Sequence, residues 1–471
     1  MTPLSGLDAA FLYLESEAMP MHVGSLQVYE LPRGRRGDFF ARARRHLADR
    51  LHLTPVFRRR LATLPFDLAS PMWVEDRPVD LDYHLQRVVL PPPGTLAALE
   101  ARVAELHGEL LDRKRPLWRF YLFEGLASGQ VAWYLKVHHA SLDGAAGMQM
   151  AEALLDPSPE PRAPPRPRRR PLESTPGAGA LVGAALRHAA GQYARLLGQL
   201  PELGRVVRDL VGAAGGVRPE GARRRTLSPR TVLNVAITAE RRFATASIPL
   251  TEVKAIATRH GTTVNDVVLA LASGALRRYL GRHGGLPARP LVAAMPVSLR
   301  AAGDAACTTR ATMVLASLAT DVADPRARLA AIRASAGAGK SLTTRARSVI
   351  PTDFPTLGAP WLLAAAAGAY GRAQHLAAFP PLANLVISNV WGARSPLYLA
   401  GARMLTSWPV SIVTHGLGLN ITVQSYCGSL DFGIIAARTA VPDLAPLVRA
   451  LHAAHDELLG CGRGSGARAG T

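Results

Sequence analysis

The stretch His138–Gly144, which reads His-His-Ala-Ser-Leu-Asp-Gly, constrains the fold of this chain more than any other segment. It follows an apolar run, Val131–Val137, that predicts a buried strand, and it precedes Ala145–Leu155, which predicts a helix. Two adjacent histidines at a strand end, with Asp143 four residues after the second, favour one imidazole held in a fixed orientation. Such an imidazole can act as a general base near neutral pH. The alternative is a polar strand end whose histidines are only hydrogen-bonded.

Length and patterning predict two domains of similar size. The 471 residues are 48% hydrophobic, which is enough for substantial cores. Strand-like and helix-like segments alternate over 1–155 and again over 231–460, which predicts an α/β layered fold. Residues 156–230 hold a proline- and arginine-rich linker followed by a weakly amphipathic helical pattern, and 461–471 are expected to form a flexible tail. Leucines supply the apolar side of that helical pattern: Leu181, Leu186, Leu196, Leu197 and Leu200.

The charge of the chain is concentrated in this insert. Residues 161–230 carry fourteen arginines and four acidic residues, which is half of the formal net charge of +20. Only four of the 55 basic residues are lysine, so compositional bias explains part of the excess. The segment contains Tyr193 as its only aromatic residue, which argues against nucleic acid because base stacking needs aromatic rings. Arginines beside an apolar helical face suit an anionic lipid surface; a solvated linker without a partner is the alternative.

Several kinds of chemistry have no sequence support. There is no HExxH motif, no paired-cysteine site, no Walker loop, no GxGxxG after a strand and no GxSxG elbow, so we predict neither a metal site nor a serine nucleophile. The three cysteines form no CxxC pair, which indicates a reducing, cytoplasmic compartment. The most apolar stretch, Trp361–Tyr370, is too short to span a bilayer, so any membrane contact is expected to be peripheral.

The heptapeptide matches the HHxxxDG motif of a superfamily that includes chloramphenicol acetyltransferases, carnitine acyltransferases and peptide-synthetase condensation domains. Across nearly the whole chain outside the insert, further segments resemble one family in particular, the bacterial wax ester synthase/acyl-CoA:diacylglycerol acyltransferases. The matching segments are Leu4–Asp8, Phe11-Leu12, Pro20–Gly24, Arg115–Trp118, Thr263–Val267, Ser388–Val390, Pro396–Tyr398 and Gly418–Thr422. The chain departs from the family where SNVPGP is usual, because Trp391-Gly392-Ala393 replaces a proline-containing turn with a bulky indole.

The resemblance implies two chloramphenicol-acetyltransferase-like domains, each a mixed sheet flanked by helices, joined by the basic insert. It implies an O-acyltransferase that uses long-chain acyl-CoA as a substrate, without a cofactor, to make triacylglycerol from diacylglycerol or wax esters from fatty alcohols. It also implies a cytoplasmic protein associated peripherally with the inner face of the cell membrane or with lipid bodies, and no nucleic-acid partner.

The resemblance assigns roles to individual residues. His139 is expected to be the general base, without an acyl-enzyme intermediate, while His138 orients it and Asp143 supports the loop. Asn265 is a candidate donor to the oxyanion, together with nearby backbone amides. Its alternative role is to cap the helix that begins there.

A second group of residues is expected to contact substrate. Gly144 would allow a close approach to substrate, and Asp266 belongs to the motif that contains Asn265. For Pro116, Leu117 and Trp118 the structural alternative is the start of a strand with a buried indole.

Two other functions compete with this interpretation. One is acyl transfer to a different hydroxyl acceptor. The other is a lipid-body surface protein that has kept the fold and lost most of its activity.

Overall fold

The computed structural model describes residues 2–32, 37–63, 71–75, 78–142, 144–166, 177, 179–194, 198, 228–298, 311–346 and 381–460. The first part of the chain, in order, contains β1 (Thr2–Pro3), α1 (Gly6–Leu14), β2 (His22–Glu30), α2 (Phe39–Ala48), β3 (Arg59–Ala62), β4 (Met72–Glu75), α3 (Leu81–His84), β5 (Leu85–Val89), α4 (Leu96–Gly108), β6 (Trp118–Glu124), β7 (Val131–His138) and α5 (Gly144–Leu154). Three short 3₁₀ turns, Leu51–Leu53, Pro55–Phe57 and His139–Ser141, lie among them.

The insert contributes α6, which is helical over the described residues 179–194. The second part of the chain contains β8 (Arg241–Pro249), α7 (Leu250–Arg259), α8 (Val264–Arg282), β9 (Val292–Ser298), β10 (Ala311–Ser317), α9 (Pro325–Ala346), β11 (Leu385–Val390), β12 (Tyr398–Leu399), β13 (Ala402–Val410), β14 (Leu419–Tyr426), β15 (Ser429–Ala437) and α10 (Ala445–Gly460). The expected flexible tail, 461–471, lies outside the described residues.

A six-stranded mixed sheet forms the centre of the first part of the chain, in the order β12-β13-β2-β7-β6-β5. Strand β7 is buried at all eight positions, because its alternate side chains enter two different cores. Tyr134 points into a core shared with the second part of the chain, and Trp133 points into a core closed by α2 and α5. A strand buried on both faces reads as a continuous apolar run, which is why the sequence signal for β7 was strong.

Two neighbouring strands at one edge of this sheet, β12 and β13, come from the second part of the chain. Strand β13 pairs antiparallel with β2, with Val410 opposite Gly24, and it bridges the two parts. The predicted boundaries of 1–155 and 231–460 therefore divide the sequence but do not match the division into sheets. Residues 398–410 come from the second part of the chain and lie in the amino-terminal sheet. Local sequence patterns carry no information on which distant strand a segment will pair with.

The second mixed sheet has the order β10-β9-β11-β14-β15-β8. Helices α8, α9 and α10 pack together beside it, and their apolar residues join the same core as the amino-terminal sheet. The two sheets meet where β13 contacts β15. There the carboxylate of Asp431 accepts hydrogen bonds from Thr406 Oγ1 at 2.8 Å and from the Ser407 amide at 3.1 Å. The predicted architecture of two layered domains with mixed sheets flanked by helices is confirmed.

A third, small sheet of order β1-β4-β3 receives the insert. On α6, Leu181 and Ala185 are buried against Ala62 and Met72 of this sheet. The expectation that Leu181 and Leu186 share one apolar side is wrong, because Leu186 is 52% exposed. The two residues are five positions apart, which places them on different faces of a helix with 3.6 residues per turn. The other predicted leucines, Leu196, Leu197 and Leu200, lie outside the described residues.

Candidate active site

The histidine pair lies at a corner where β7 ends beside the first residue of β2. His22 and His138 are directly opposite each other across these strands. The amide of His138 donates to the carbonyl of Leu117 at 2.9 Å, and the amide of His139 donates to the carbonyl of Met21 at 2.8 Å. These backbone hydrogen bonds continue the sheet up to His139, where a short 3₁₀ turn begins.

The carboxylate of Glu15, which follows α1 directly, joins the two histidines of this corner. Its Oε1 lies 3.2 Å from His138 Nε2 and 3.3 Å from His22 Nε2, and all three side chains are at most 2% exposed. Arg113 donates to the other oxygen, Oε2, from Nε at 3.1 Å and from Nη2 at 2.9 Å. Burial alone would raise the pKa of the Glu15 carboxyl, but the contacts with His138 and His22 hold it well below its usual range.

The hydrogen bonds of His138 define its tautomer. Its Nδ1 accepts a hydrogen bond from the amide of Ala140 at 3.0 Å, so this nitrogen carries no proton. A neutral ring then has its proton on Nε2, which faces Glu15. Glu15, His22 and His138 thus form a buried cluster of one carboxylate and two imidazoles. In the part of the chain that the structure describes, no group of three or more His, Cys, Asp or Glu side chains is arranged to hold a metal.

The ring of His139 stacks on Phe11 of α1, with 3.9 Å between ring centroids and 13° between ring planes. Its Nδ1 is fully enclosed and has no hydrogen-bond partner among the other described residues. Burial lowers the pKa of His139 to about 4, an effect opposed by its own backbone carbonyl and reinforced by the neighbouring His138. The imidazole is therefore neutral at pH 7, and a general base must be neutral before it can take up a proton.

The small sheet contacts the other side of the 3₁₀ turn. Arg59 of β3 donates from Nη2 to the carbonyl of Ser141 at 2.9 Å, and its guanidinium lies 4.4 Å from the ring centroid of Trp73. Asp143, the predicted support of the loop, lies outside the described residues. Gly144 is the first residue of α5, and the role predicted for it in substrate approach stays a prediction.

The residues Pro116, Leu117 and Trp118 lie in the interior beside the corner. Leu117 and Trp118 have no exposed surface, and the indole Nε1 of Trp118 donates to the carbonyl of Phe57 at 3.2 Å. Leu117 packs with Leu12 of α1 and with Ala140. This burial favours the structural alternative over the predicted contact with substrate.

Asn265 and Asp266 lie in the first turn of α8, where the cap predicted for Asn265 is made by Thr263 and Asp266. Thr263 is the N-cap, and its hydroxyl accepts a hydrogen bond from the Asp266 amide at 3.2 Å, while the Thr263 amide donates to the Asp266 carboxylate at 3.1 Å. The capping role proposed for Asn265 is thus wrong. Asp266 is only 4% exposed and forms this capping box, which argues against its predicted contact with substrate. Asn265 is half-buried, and its role as a donor to the oxyanion stays a prediction.

The departure at Trp391 lies on the surface. Its indole, directly after β11, is 81% exposed, and the amide of Gly392 donates to Ser425 Oγ at 3.2 Å. A Cβ at position 392 would overlap the carbonyl of Ser425, so a glycine is needed where the chain passes this close to β14.

Sequence reasoning missed the part that α1 plays. Glu15 and its partner Arg113 were not recognised as site residues, and Phe11 and His22 entered only as parts of matching segments. The available signal was the spacing of four residues between Phe11 and Glu15, just before the Pro20–Gly24 segment. Only the pairing of β2 with β7 brings this helix to the histidines.

Comparison with solved structures defines the class of fold. The first condensation domain of the calcium-dependent antibiotic synthetase superposes with a TM-score of 0.56 at 16% identity, covering 97% of this chain and 95% of that chain. The wax ester synthase/diacylglycerol acyltransferase from Marinobacter aquaeolei VT8 superposes with a TM-score of 0.71 at 33% identity, covering 98% of this chain and 100% of that chain. The chain thus has the two-domain fold that these proteins share.

The sequence comparisons then define the family. The wax ester synthase/diacylglycerol acyltransferase catalytic domain matches residues 4–268, and the C-terminal domain of the same family matches 309–459. A putative diacylglycerol O-acyltransferase from Mycobacterium tuberculosis (strain CDC 1551 / Oshkosh) is 38% identical over 97% of this chain and 99% of its own length. The O-acyltransferase WSD from Acinetobacter baylyi is 34% identical over 95% of each protein. The chain belongs to the wax ester synthase/diacylglycerol acyltransferase family and is an enzyme of the O-acyltransferase type.

Proposed function

We propose that this enzyme transfers the acyl group of a long-chain acyl-CoA to the hydroxyl of diacylglycerol or of a long-chain alcohol, with His139 as the general base. The observation that carries this proposal is the position of the His139 ring, which stacks on Phe11 at the end of β7, where burial lowers its pKa. Relatives named for diacylglycerol O-acyltransferase and wax ester synthase activity support the choice of acceptors.

The proposed reaction needs a single direct transfer. The Nε2 of His139 takes the proton of the acceptor hydroxyl while the oxygen attacks the thioester carbonyl carbon, which gives a tetrahedral oxyanion. The carbon–sulfur bond then breaks, the carbonyl re-forms, and the protonated imidazole returns the proton to the CoA sulfur. Acyl-CoA is a substrate in this scheme, and no cofactor takes part. His138 and Glu15 take no part in the bond changes; they fix the 3₁₀ turn from which His139 projects.

One experiment tests the proposed substrates directly. The purified protein is incubated with labelled long-chain acyl-CoA and, in parallel, with diacylglycerol or a fatty alcohol. Labelled triacylglycerol or wax ester is the expected product, and the ratio of the two rates identifies the preferred acceptor. If neither ester forms while another hydroxyl compound is acylated, the proposed acceptors are wrong and the alternative acceptor class is correct.

We further propose that contact with a membrane or lipid body is peripheral and involves the outer face of α6. No helix in the described ranges is both long enough and apolar enough to cross a bilayer. On α6, Leu186 and Tyr193 are seven positions apart and are 52% and 45% exposed, with the exposed Arg187 beside them. An apolar pair with an adjacent cation suits an anionic lipid surface.

Vesicle sedimentation tests this contact. The double variant Leu186→Asp/Tyr193→Asp should bind anionic vesicles less than the wild type, with an unchanged melting temperature. The matched control is Leu181→Asp, on the face that packs against the small sheet, which should lower the melting temperature. Unchanged vesicle binding by the double variant would contradict the proposed contact.

A further inference from the structure

The chain leaves the amino-terminal sheet at Ser411, at the same end of the strands as the histidine pair. Strands β13 and β7 both run antiparallel to β2, so they run in the same direction and end on the same side of the sheet. His139 follows the last residue of β7, and Ser411 follows the last residue of β13. Strand β13, which bridges the two parts of the chain, therefore brings the Ser411 hydroxyl to the end of the sheet that carries His139.

The backbone of Ser411 is fixed to the same corner. Its carbonyl lies 3.0 Å from His107 Nε2, and His107 Nδ1 lies 2.6 Å from the hydroxyl of Tyr134. Burial holds the pKa of His107 well below its usual value, so the ring is neutral. In a neutral ring that donates from Nε2 to the Ser411 carbonyl, Nδ1 accepts from Tyr134. The carbonyl of His107 in turn lies 3.5 Å from Nδ1 of His22, the cross-strand partner of His138.

A directional chain of hydrogen bonds ends at the Ser411 hydroxyl. The Nδ2 of Asn420 donates to the carbonyl of Ile412 at 2.9 Å, and this contact fixes which end of the amide is the nitrogen. The same Nδ2 donates to Ser411 Oγ at 3.2 Å, and Asn420 Oδ1 accepts from Thr422 Oγ1 at 2.8 Å. Ser411 is the acceptor in this contact, so its own proton is directed elsewhere. No acceptor for that proton exists among the described residues, and the side chain is half-buried.

We propose that the Ser411 hydroxyl donates a hydrogen bond to the thioester carbonyl oxygen of the acyl-CoA and stabilises the oxyanion that forms there. The inference rests on the proposed acyl transfer and names a donor for its transition state. The polarising chain from Thr422 through Asn420 strengthens this donor, since aligned hydrogen bonds reinforce one another. The Gly418–Thr422 segment, which the sequence shows only as a matching motif, thereby has a task at the reacting atoms.

The spacing of the strands is compatible with this role. Neighbouring strands lie about 4.8 Å apart, so β7 and β13, with β2 between them, are about 10 Å apart. A base takes a proton from a hydroxyl about 3 Å away, and an oxyanion donor acts at about 3 Å from the oxygen. In this proposal the thioester carbonyl and the attacking hydroxyl lie between the two side chains.

The test compares Ser411→Ala and Ser411→Thr with the wild-type enzyme in the acyl-CoA and diacylglycerol assay. Loss of one oxyanion donor lowers kcat by about 10²–10³-fold, so we expect a fall of this size for Ser411→Ala and substantial rescue by Ser411→Thr. The KM for acyl-CoA and the pH profile of kcat/KM should stay unchanged, because the base is intact. The control is Ser25→Ala, on the neighbouring strand of the same sheet, which should keep wild-type kcat.

A second variant tests the direction of the hydrogen-bond chain. Asn420→Asp has nearly the same shape but turns the donor at Ser411 into an acceptor, so the serine proton should point away from the substrate and kcat should fall. Wild-type kcat in a folded Ser411→Ala variant would overturn the inference and leave the proposed acyl transfer standing. If the wild-type enzyme itself makes no ester from these substrates, the proposed function has failed; Ser411→Ala is then compared on whichever acceptor is used, and unchanged kcat there overturns the inference.

Discussion

Glu15 Oε1 lies 3.2 Å from Nε2 of His138, and this contact connects helix α1 to the histidine corner. The same helix places Phe11 on the ring of His139, one turn before Glu15. Helix α1 and the residue that follows it therefore hold both members of the pair, His138 through the Glu15 carboxylate and His139 through the stack on Phe11. Neither Glu15 nor Phe11 belongs to the HHxxxDG motif.

Replacing Glu15 with glutamine tests the first contact. Glu15→Gln keeps the shape of the side chain and removes the charge that His138, His22 and Arg113 share. We expect the free energy of unfolding to fall by about 1–3 kcal/mol, the usual cost of weakening a buried charged hydrogen-bond set. Displacement of the 3₁₀ turn should also lower kcat by about 10–100-fold. The control is Glu17→Gln at an exposed position; equal values for the wild type and Glu15→Gln would contradict the account.

Stability should fall as the pH drops from 6.5 to 4. Burial lowers the pKa of His22, His84 and His139 to about 4, so between these pH values the unfolded chain binds protons that the folded protein excludes. Each such histidine contributes a slope of about 1.4 kcal/mol per pH unit. Glu15 adds a further loss of stability at still lower pH. Its carboxyl has a lower pKa in the folded protein than in the unfolded chain, so its contribution is complete only above the pKa of the unfolded chain. Urea unfolding at pH 7 and pH 5 measures this, and equal free energies would contradict the burial of neutral histidines.

The stack of Phe11 on His139 should set the acid limb of the activity profile. In the wild type, kcat/KM should fall only as the pH approaches 4, where His139 becomes protonated. Phe11→Leu exposes the ring to water, so the pKa should rise towards 6.5 and activity at pH 5.5 should drop. The pH profile of kcat/KM is the measurement, with Tyr13→Leu on the same helix as the control. Identical acid limbs for Phe11→Leu and the wild type would refute this role.

The contact between β13 and β15 should tolerate no side chain at Gly433. A Cβ there would overlap the carbonyl oxygen of Pro409, a backbone atom that cannot move aside without shifting the bridging strand. Gly433→Ala should therefore destabilise the protein by about 1–3 kcal/mol, as overpacking usually does. Gly281→Ala in α8, with open space around it, should be neutral or stabilising. Thermal unfolding of both variants checks this, and equal melting temperatures would contradict the close approach.

The sequence carried the local elements and the motif but not the assembly of the site. The strand predicted over Val131–Val137 is observed at Val131–His138, and the helix predicted over Ala145–Leu155 at Gly144–Leu154, because their apolar patterns mark them locally. Strand β13 was not predicted. Its pairing with β2, which brings Ser411 to the end of the sheet that carries the histidine pair, depends on contacts between residues as far apart in sequence as Gly24 and Val410. The same limit hid Glu15, whose importance depends on two partners, His138 and Arg113, that are distant in sequence.

The rate of a single turnover by His139→Ala tests the central claim most directly. Labelled long-chain acyl-CoA and diacylglycerol are mixed with excess enzyme, and labelled triacylglycerol is followed together with any label bound to protein. We predict a rate about 10²–10⁴-fold below wild type, retained binding of acyl-CoA, and no labelled protein in either enzyme. A wild-type rate in the His139→Ala variant, or label trapped on the wild-type protein as a reaction intermediate, would contradict direct transfer with His139 as the base.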